Sequence, residues 1–191
     1  SEQEHGAAEE EESLTPDDSD IAHSVAPEVL DSYERARKYD ITTMNTVDEA
    51  DPYGLLLRWY MAKMVVNYAV NVQWKRMPTV IPLRCRRWDA EGEWESEEIK
   101  DYARKACALG IMGIHMDDFL PNKEVSRAEF GTILSRLLWW DAYNTSWETY
   151  YEKHLDALKD NGYVDKIDNP RERTEIRQRV WVMLERTANT Y

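Results

Sequence analysis

Residues 98 to 138 read EIKDYARKACALGIMGIHMDDFLPNKEVSRAEFGTILSRLL, and the architecture can be worked out from them. The first third has apolar residues at helical spacing, and a glycine follows where a helix would end. These residues are Ile99, Ala103, Ala106, Leu109 and Gly110. The last third opens with Ser126 and Glu129 in the Ser-x-x-Glu pattern of a capping box, ahead of an apolar stripe. The stretch therefore predicts a helix, a loop and a second helix.

The same arrangement recurs on both sides of this stretch. The first helix of each copy has apolar residues 11, 7 and 4 positions before its stop, which is Asp40, Gly110 or Gly162. The second helix of each copy opens with an arginine, and this arginine follows the stop by 18, 17 and 15 residues. The three arginines are Arg58, Arg127 and Arg177. We interpret the chain as three helix-loop-helix copies.

The periodicity divides the chain into one composite domain and a tail. The segments are an acidic tail or linker (1–25), the first copy (26–72), a connector (73–93), the second copy (94–138), a second connector (139–146) and the third copy (147–191). A helix pair of this size cannot bury its apolar face alone. The sequence therefore predicts a mainly α fold in which the three copies pack together with approximate three-fold symmetry.

Charge is concentrated at the amino-terminal end. Residues 1 to 20 contain nine acidic residues and no Lys or Arg, whereas the rest of the chain has 28 acidic against 24 basic residues, for a formal net charge of -13. Such a segment repels phosphates and has too little apolar content to fold alone. We expect a solvated linker and no nucleic-acid partner. No run of about 20 apolar residues is present, so we expect no membrane insertion.

Three blocks of the second copy are similar to the S-layer homology repeat. The blocks are ACALGIMG (106–113), FLPN (119–122) and VSRAEF (125–130). In that family they read as a helix ending in Gly-Ile with another glycine close by, then Phe-x-Pro, then Thr-Arg-Ala-Glu-Phe. The outer copies keep only the arginine of the last block. There, Leu57 and Ile176 replace the capping residue, and Tyr60 and Arg179 replace the glutamate.

The resemblance implies a fold, a place and a role. The fold is a three-pronged helical module, and the place is a bacterial cell surface or cell wall, with the signal peptide removed. The role is non-covalent anchoring of a larger surface protein to a secondary cell-wall polysaccharide, without enzymatic activity or cofactor. The alternative is an assembly module that has lost sugar binding and contacts other copies of the surface protein. A remoter alternative is one domain of a surface enzyme.

The resemblance also implies a binding groove beside the helix starts, where a planar guanidinium and free N–H groups suit an acidic polymer. Arg127 is the first candidate, followed by Arg58 and Arg177. The expected neighbours are two glycines that allow close backbone approach and two aromatic rings that offer stacking faces: Gly110, Gly113, Trp59 and Trp181. In the competing structural interpretation, Arg127 pairs with Glu129 or Asp101 at the surface.

Four residues are predicted to have structural roles. Ser126 and Glu129 are expected to cap the second helix of the middle copy. Cys85 and Cys107 either form a disulfide or remain two buried thiols, and their spacing is compatible with both.

Catalytic and metal-binding motifs are missing from the sequence. There is no His-Glu-x-x-His, Gly-x-Ser-x-Gly or phosphate-binding glycine loop, and two cysteines are too few for a structural zinc site. His115 lies near Asp117 and Asp118, but in a polar loop where we expect it to be solvated. His154 falls on a predicted helix, where we expect a structural, partly buried histidine.

Overall fold

The computed structural model describes residues 25–88, 94–145 and 147–188, and for Trp147 the backbone alone. These residues form six α-helices: α1 (Pro27–Lys38), α2 (Arg58–Asn71), α3 (Glu97–Ala108), α4 (Arg127–Trp139), α5 (Glu152–Asp160) and α6 (Arg177–Ala188). Short 3-10 turns lie at Leu83–Cys85 and Trp147–Thr149. The prediction of a mainly α chain is confirmed. The predicted linker falls outside the described residues except for Val25, as do residues 89–93 of the first connector.

The three predicted helix stops adopt the left-handed conformation. Gly110 and Gly162 have φ of 73° and 75°, and Asp40, which stands in place of glycine, has φ of 56°. The residue after each stop bonds back to the helix, as Ile111 N–H does to the Ala106 carbonyl at 2.9 Å. This is the pattern of a Schellman cap, in which a left-handed residue ends the helix. The prediction of Asp40 as a helix stop is confirmed.

The second helices of the copies start differently from one another. Ser126 and Glu129 form the predicted capping box on α4, with Ser126 Oγ accepting from Glu129 N–H at 3.2 Å. Helix α2 has no side-chain cap at its start. The first backbone N–H groups of all three second helices bond to carbonyls of a neighbouring copy, as Arg58 N–H does to the Lys123 carbonyl at 2.9 Å and Arg127 N–H does to the Arg173 carbonyl at 2.7 Å. Tertiary contacts thus satisfy donors that every helix start leaves open.

The extended segments before α2, α4 and α6 form a closed ring of hydrogen bonds. Leu56 N–H donates to the Glu175 carbonyl at 3.2 Å, and Glu175 N–H donates to the Val125 carbonyl at 2.9 Å. Val125 N–H completes the ring by donating to the Leu56 carbonyl at 2.8 Å. Each link joins two different copies, so the starts of the second helices are held against one another.

Helices pack between copies. Helix α2 packs on α3, α4 on α5 and α6 on α1, so the second helix of each copy contacts the first helix of the next. The buried apolar residues of the three copies form a continuous core, including Leu56, Met61, Val125, Leu134, Val180 and Leu184. In the described residues the longest helix is α2, and no helix is long and apolar enough to span a membrane.

A disulfide joins the first connector to α3. Cys85 and Cys107 are bonded, with their Cα atoms 5.5 Å apart, which settles the alternative left open by the sequence. Three residues after Cys85 the buried Trp88 packs over Gly113, where an added Cβ would lie 2.7 Å from the indole ring. The bonded connector therefore covers the loop that follows α3.

Candidate functional site

Arg58 is held inside the protein. Its side chain is only 3% exposed, and its Nε donates to the Phe119 carbonyl at 2.7 Å, while one terminal nitrogen contacts Glu129 at 2.9 Å. Burial raises the pKa of Glu129, but the charges of Arg58 and Lys123 and the Ser126 N–H outweigh it, so the pKa is lowered. A buried ion pair of this kind needs both partners. Arg58 therefore joins the first two copies, and little of its side chain is open to a ligand.

Arg127, the first candidate, pairs with a carboxylate from another copy. Its Nε lies 3.2 Å from Glu175, a buried residue that Arg179 also approaches at 3.4 Å. Burial raises the pKa of Glu175, and the two arginines lower it by less, so the pKa is raised. The competing interpretation, in which Arg127 pairs with Glu129 or Asp101 at the surface, was wrong about the partner. Position along the chain does not reveal a partner 48 residues away.

Arg177 is the most exposed of the three arginines. It donates to the Ala50 carbonyl at 3.1 Å, lies 3.5 Å from Asp51, and lies over the Tyr60 ring, 5.2 Å from the ring centroid. All three predicted arginines thus contact a neighbouring copy, and the structure brings no two of them into one groove.

The predicted glycines and tryptophans have separate surroundings. A Cβ on Gly110 would meet open space, whereas Gly113 is covered on one side by Trp88 and lines a groove described below. Trp181 is buried, and Trp59 is partly buried beside Tyr60. The indole Nε1 atoms of both tryptophans are buried and have no hydrogen-bond partner within the described part of the chain. Of the seven predicted ligand residues, only Arg58 and Gly113 share a groove.

That groove has a volume of about 440 Å³, and we name it the Arg136 groove. All three copies and the second connector contribute to it. Its lining residues are Arg58, Met112, Gly113, Ile114, His115, Met116, Glu129, Thr132, Ile133, Arg136, Asn144, Thr145, Glu148, Tyr150 and Arg171. The loop after α3 forms one wall, α4 forms the floor, and the loops on either side of α5 close the far side.

Two arginines of the groove lack a carboxylate partner within 4 Å among the described residues. Arg136 donates to Asn144 Oδ1 at 3.0 Å, and burial lowers its pKa to about 10, so it is charged at neutral pH. Arg171 is exposed, donates to the Glu148 carbonyl and lies over the Tyr151 ring, 5.0 Å from the centroid. The groove therefore presents two guanidinium groups that no carboxylate of the described residues pairs with, beside Glu129 and Glu148, which also line it.

A buried histidine positions this charge. His154 Nδ1 lies 2.8 Å from Ser135 Oγ, and its Nε2 lies 3.1 Å from Asn144 Oδ1. Because the amide oxygen only accepts, His154 donates from Nε2 and accepts from the Ser135 hydroxyl. Asn144 Oδ1 is thus shared between His154 and Arg136, which fixes the guanidinium. His154 is structural as predicted, but it is fully buried and not partly buried, and His115 is exposed as expected.

The sequence provided only a weak indication that Arg136 and Arg171 would share a site. Pro170 follows the third stop as Pro121 follows the second, which places Arg171 in the loop that leads into a second helix. Arg136 lies on the polar side of a predicted helix, where charged residues are ordinary. In the described part of the chain, no group of three or more His, Cys, Asp or Glu residues is placed to hold a metal ion.

A comparison of the sequence with models of known protein families and with curated proteins finds no match in either. The assignment of a role therefore depends on the geometry above and on the motif resemblance of the middle copy.

Proposed function

We propose that this chain is a non-catalytic module that holds a bacterial surface protein to the cell envelope by binding an acidic cell-wall polysaccharide. The Arg136 groove is the binding site. Arg136 and Arg171 supply the positive charge, and Asn144, Thr145 and Tyr150 supply neutral polar groups beside them. The three blocks of the middle copy that resemble the S-layer homology repeat favour the same role, at the outside of the cell.

The proposal includes three copies related by approximate three-fold symmetry. It is supported by equivalent bonds at equivalent positions. The first N–H groups of α2, α4 and α6 donate to the carbonyls of Lys123, Arg173 and Gly54 at 2.9, 2.7 and 3.2 Å. The ring of Leu56, Val125 and Glu175 is a second equivalent set.

One observation carries the functional proposal. Among the described residues no carboxylate lies within 4 Å of Arg136 or Arg171, although carboxylates hold Arg58 in the same groove and Arg127 and Arg177 elsewhere. A guanidinium left without a counter-ion in a partly buried site, as Arg136 is, is unfavourable unless a ligand supplies one. Guanidinium groups bind carboxylate or phosphate through two parallel hydrogen bonds. A polymer carrying such groups is the ligand that this site suits best.

Co-sedimentation with purified cell walls tests the proposal. We expect the protein to bind intact walls and to stay in solution with walls stripped of their polysaccharide. Arg171→Gln should weaken binding about tenfold, because it removes one charged hydrogen-bonding group, and tenfold corresponds to about 1.4 kcal/mol. Arg171 is exposed, so the substitution leaves the core intact.

Arg173→Gln is the matched control. Arg173 lies two residues further along the same loop, and its side chain pairs with Asp168 at 2.8 Å, outside the Arg136 groove. It should bind walls as the unchanged protein does. Equal loss in both variants would indicate general charge attraction, and undiminished binding by Arg171→Gln would refute the assignment of the site.

A second candidate function is assembly with other copies of the surface protein. The observation in its favour is the first connector, where Val80 and Leu83 are 72% and 80% exposed. Contiguous exposed apolar patches are typical of contact surfaces, and these two side chains lie three positions apart in the chain. Assembly predicts oligomers whose proportion rises with protein concentration and is indifferent to wall polymer. Sedimentation velocity with and without Leu83→Ser separates it from anchoring.

A further inference from the structure

We propose that the seam between α1 and α6 contains a second carbohydrate site, which takes an uncharged sugar ring stacked on Trp74. The site lies in a groove of about 510 Å³, which we name the α1–α6 groove. Its lining residues include Arg35, Tyr39, Trp74, Trp181 and Glu185. It shares no lining residue with the Arg136 groove, and the proposal does not depend on the function proposed above.

The groove lies at the opposite ends of the helices from the arginines. Tyr39 caps the carboxyl end of α1, Val72 caps that of α2, and Ala188 ends α6. All three residues line the α1–α6 groove. The Arg136 groove is instead lined by Arg58, at the opposite end of α2 from Val72. The two grooves therefore lie at different parts of the helix assembly.

Trp74 is displayed to solvent by a fixed backbone. Its side chain is 83% exposed, and its φ is 56°, in the left-handed region that bulky residues rarely adopt. The residues on either side are held, since Gln73 N–H bonds to the Tyr68 carbonyl at 3.1 Å and Lys75 N–H to the Ala69 carbonyl at 2.9 Å. A strained backbone that exposes a large apolar ring is unfavourable for the isolated chain.

The floor of the groove has an unused hydrogen-bond donor. Trp181 lines the groove and is 1% exposed, and its indole Nε1 has no acceptor among the described residues. A buried donor without a partner is unfavourable by about 1 to 3 kcal/mol. A sugar seated in the groove would lie against this indole, so the Trp181 N–H resonance would report its arrival. The sequence placed Trp181 in a groove beside the repeat arginines, whereas the structure places it in this groove, which none of those arginines lines.

The charged groups of the groove favour a neutral ligand. Arg35 Nε and Glu185 Oε1 lie 3.0 Å apart, so the pair brings no net charge to the site. Their remaining donors and acceptors suit neighbouring sugar hydroxyls, which act as both. A pyranose ring also has an apolar face of C–H groups that packs flat on an indole. An acidic sugar would find no unpaired positive charge here, because Glu185 already neutralises Arg35.

Two-dimensional nitrogen–proton NMR of the full chain tests this proposal. The probes are three uncharged trisaccharides: tri-N-acetylchitotriose, cellotriose and mannotriose. We expect at least one to shift the indole N–H resonances of Trp74 and Trp181 in a saturable manner. Trp74→Ala should weaken that binding about tenfold, as expected for loss of an aromatic anchor.

Trp140→Ala is the matched control. Trp140 is also exposed, also has a positive φ (58°), and also follows the carboxyl end of a second helix, but it lies outside the α1–α6 groove. It should bind as the unchanged protein does, and so should Arg171→Gln. The two proposals are therefore tested independently. The Trp74 variant tests the sugar site, and the Arg171 variant tests wall binding, so one proposal can be refuted while the other stands.

Three results would overturn the proposal. They are the absence of any saturable shift with all three sugars, equal losses in the two tryptophan variants, and shifts confined to other resonances. Binding that appears only after residues 189–191 are removed would likewise overturn it, in favour of an occupant from this chain.

Discussion

At the residue scale, His154 makes the stability of the fold depend on pH. Burial, together with the charge of Arg136, lowers its pKa from 6.5 to about 4. The folded protein therefore holds the imidazole neutral, while the unfolded chain takes up a proton more readily. The stability that this preference contributes is complete above pH 6.5 and is lost as the pH falls toward 4.

We predict that His154→Gln removes this dependence. Between pH 7.5 and 5 the free energy of unfolding of the unchanged protein should fall by about 2 kcal/mol more than that of the variant. Urea unfolding at the two pH values measures the difference. A parallel loss in both proteins would mean that other groups, such as Glu129, account for the acid sensitivity.

Residues differ in how far the sequence predicts them. Ser126 and Glu129 are three positions apart and contact each other, so the pattern alone gives their roles. The partner of Arg127 is Glu175, in another copy, and the partner of Arg58 is Glu129, 71 residues away. Local spacing carries no information on such contacts. For the same reason the sequence did not point to Arg136 and Arg171, which meet only through the packing of three copies.

At the element scale, the helix stops are where sequence spacing succeeds best. A helix ends where one residue turns left-handed, and glycine does so without a steric penalty. Gly110 and Gly162 reveal this directly, and Asp40 is found only through the apolar residues that precede it at the same positions. The helix starts are less predictable, since the first N–H groups of α2 and α6 donate to carbonyls that are distant in the sequence.

We predict that Asp40→Gly stabilises the protein by about 0.5 kcal/mol, since it relieves the left-handed strain of a residue with a Cβ while slightly increasing the entropy of the unfolded chain. The Asp40 carbonyl accepts from Asn67 at 2.6 Å, and this bond is kept in the variant. Thermal or urea unfolding gives the shift. Gly162→Asp is the reciprocal control and should destabilise; a destabilising Asp40→Gly would contradict the argument.

At the scale of the whole molecule, the copies depend on one another. Every second helix packs on the first helix of another copy. In the hydrogen-bond ring, each copy contributes one residue, which donates to one neighbouring copy and accepts from the other. No copy keeps both of its helices covered when a neighbour is removed. The sequence predicted that three copies must pack together, but not that their helices pair across copies.

We predict that a chain shortened to end at residue 145 loses most of its helical circular dichroism, since removal of α5 and α6 exposes the apolar faces of α4 and α1. In the full chain, helical dichroism and tryptophan fluorescence should report a single urea transition. A shortened chain with cooperative unfolding would show instead that the first two copies are independent.

The contact between α6 and α1 has a further consequence for the order of folding. Ser135 and His154, which join α4 to α5, are 19 residues apart, and Lys63 and Glu98, which join α2 to α3, are 35 apart. Glu28 and Arg186, which join α1 to α6, are 158 apart. Closing a longer loop loses more chain entropy, so contacts between distant residues tend to form late. We therefore expect the α2–α3 and α4–α5 contacts to form first. Docking of α6 on α1 then closes the chain on itself as the last step of folding.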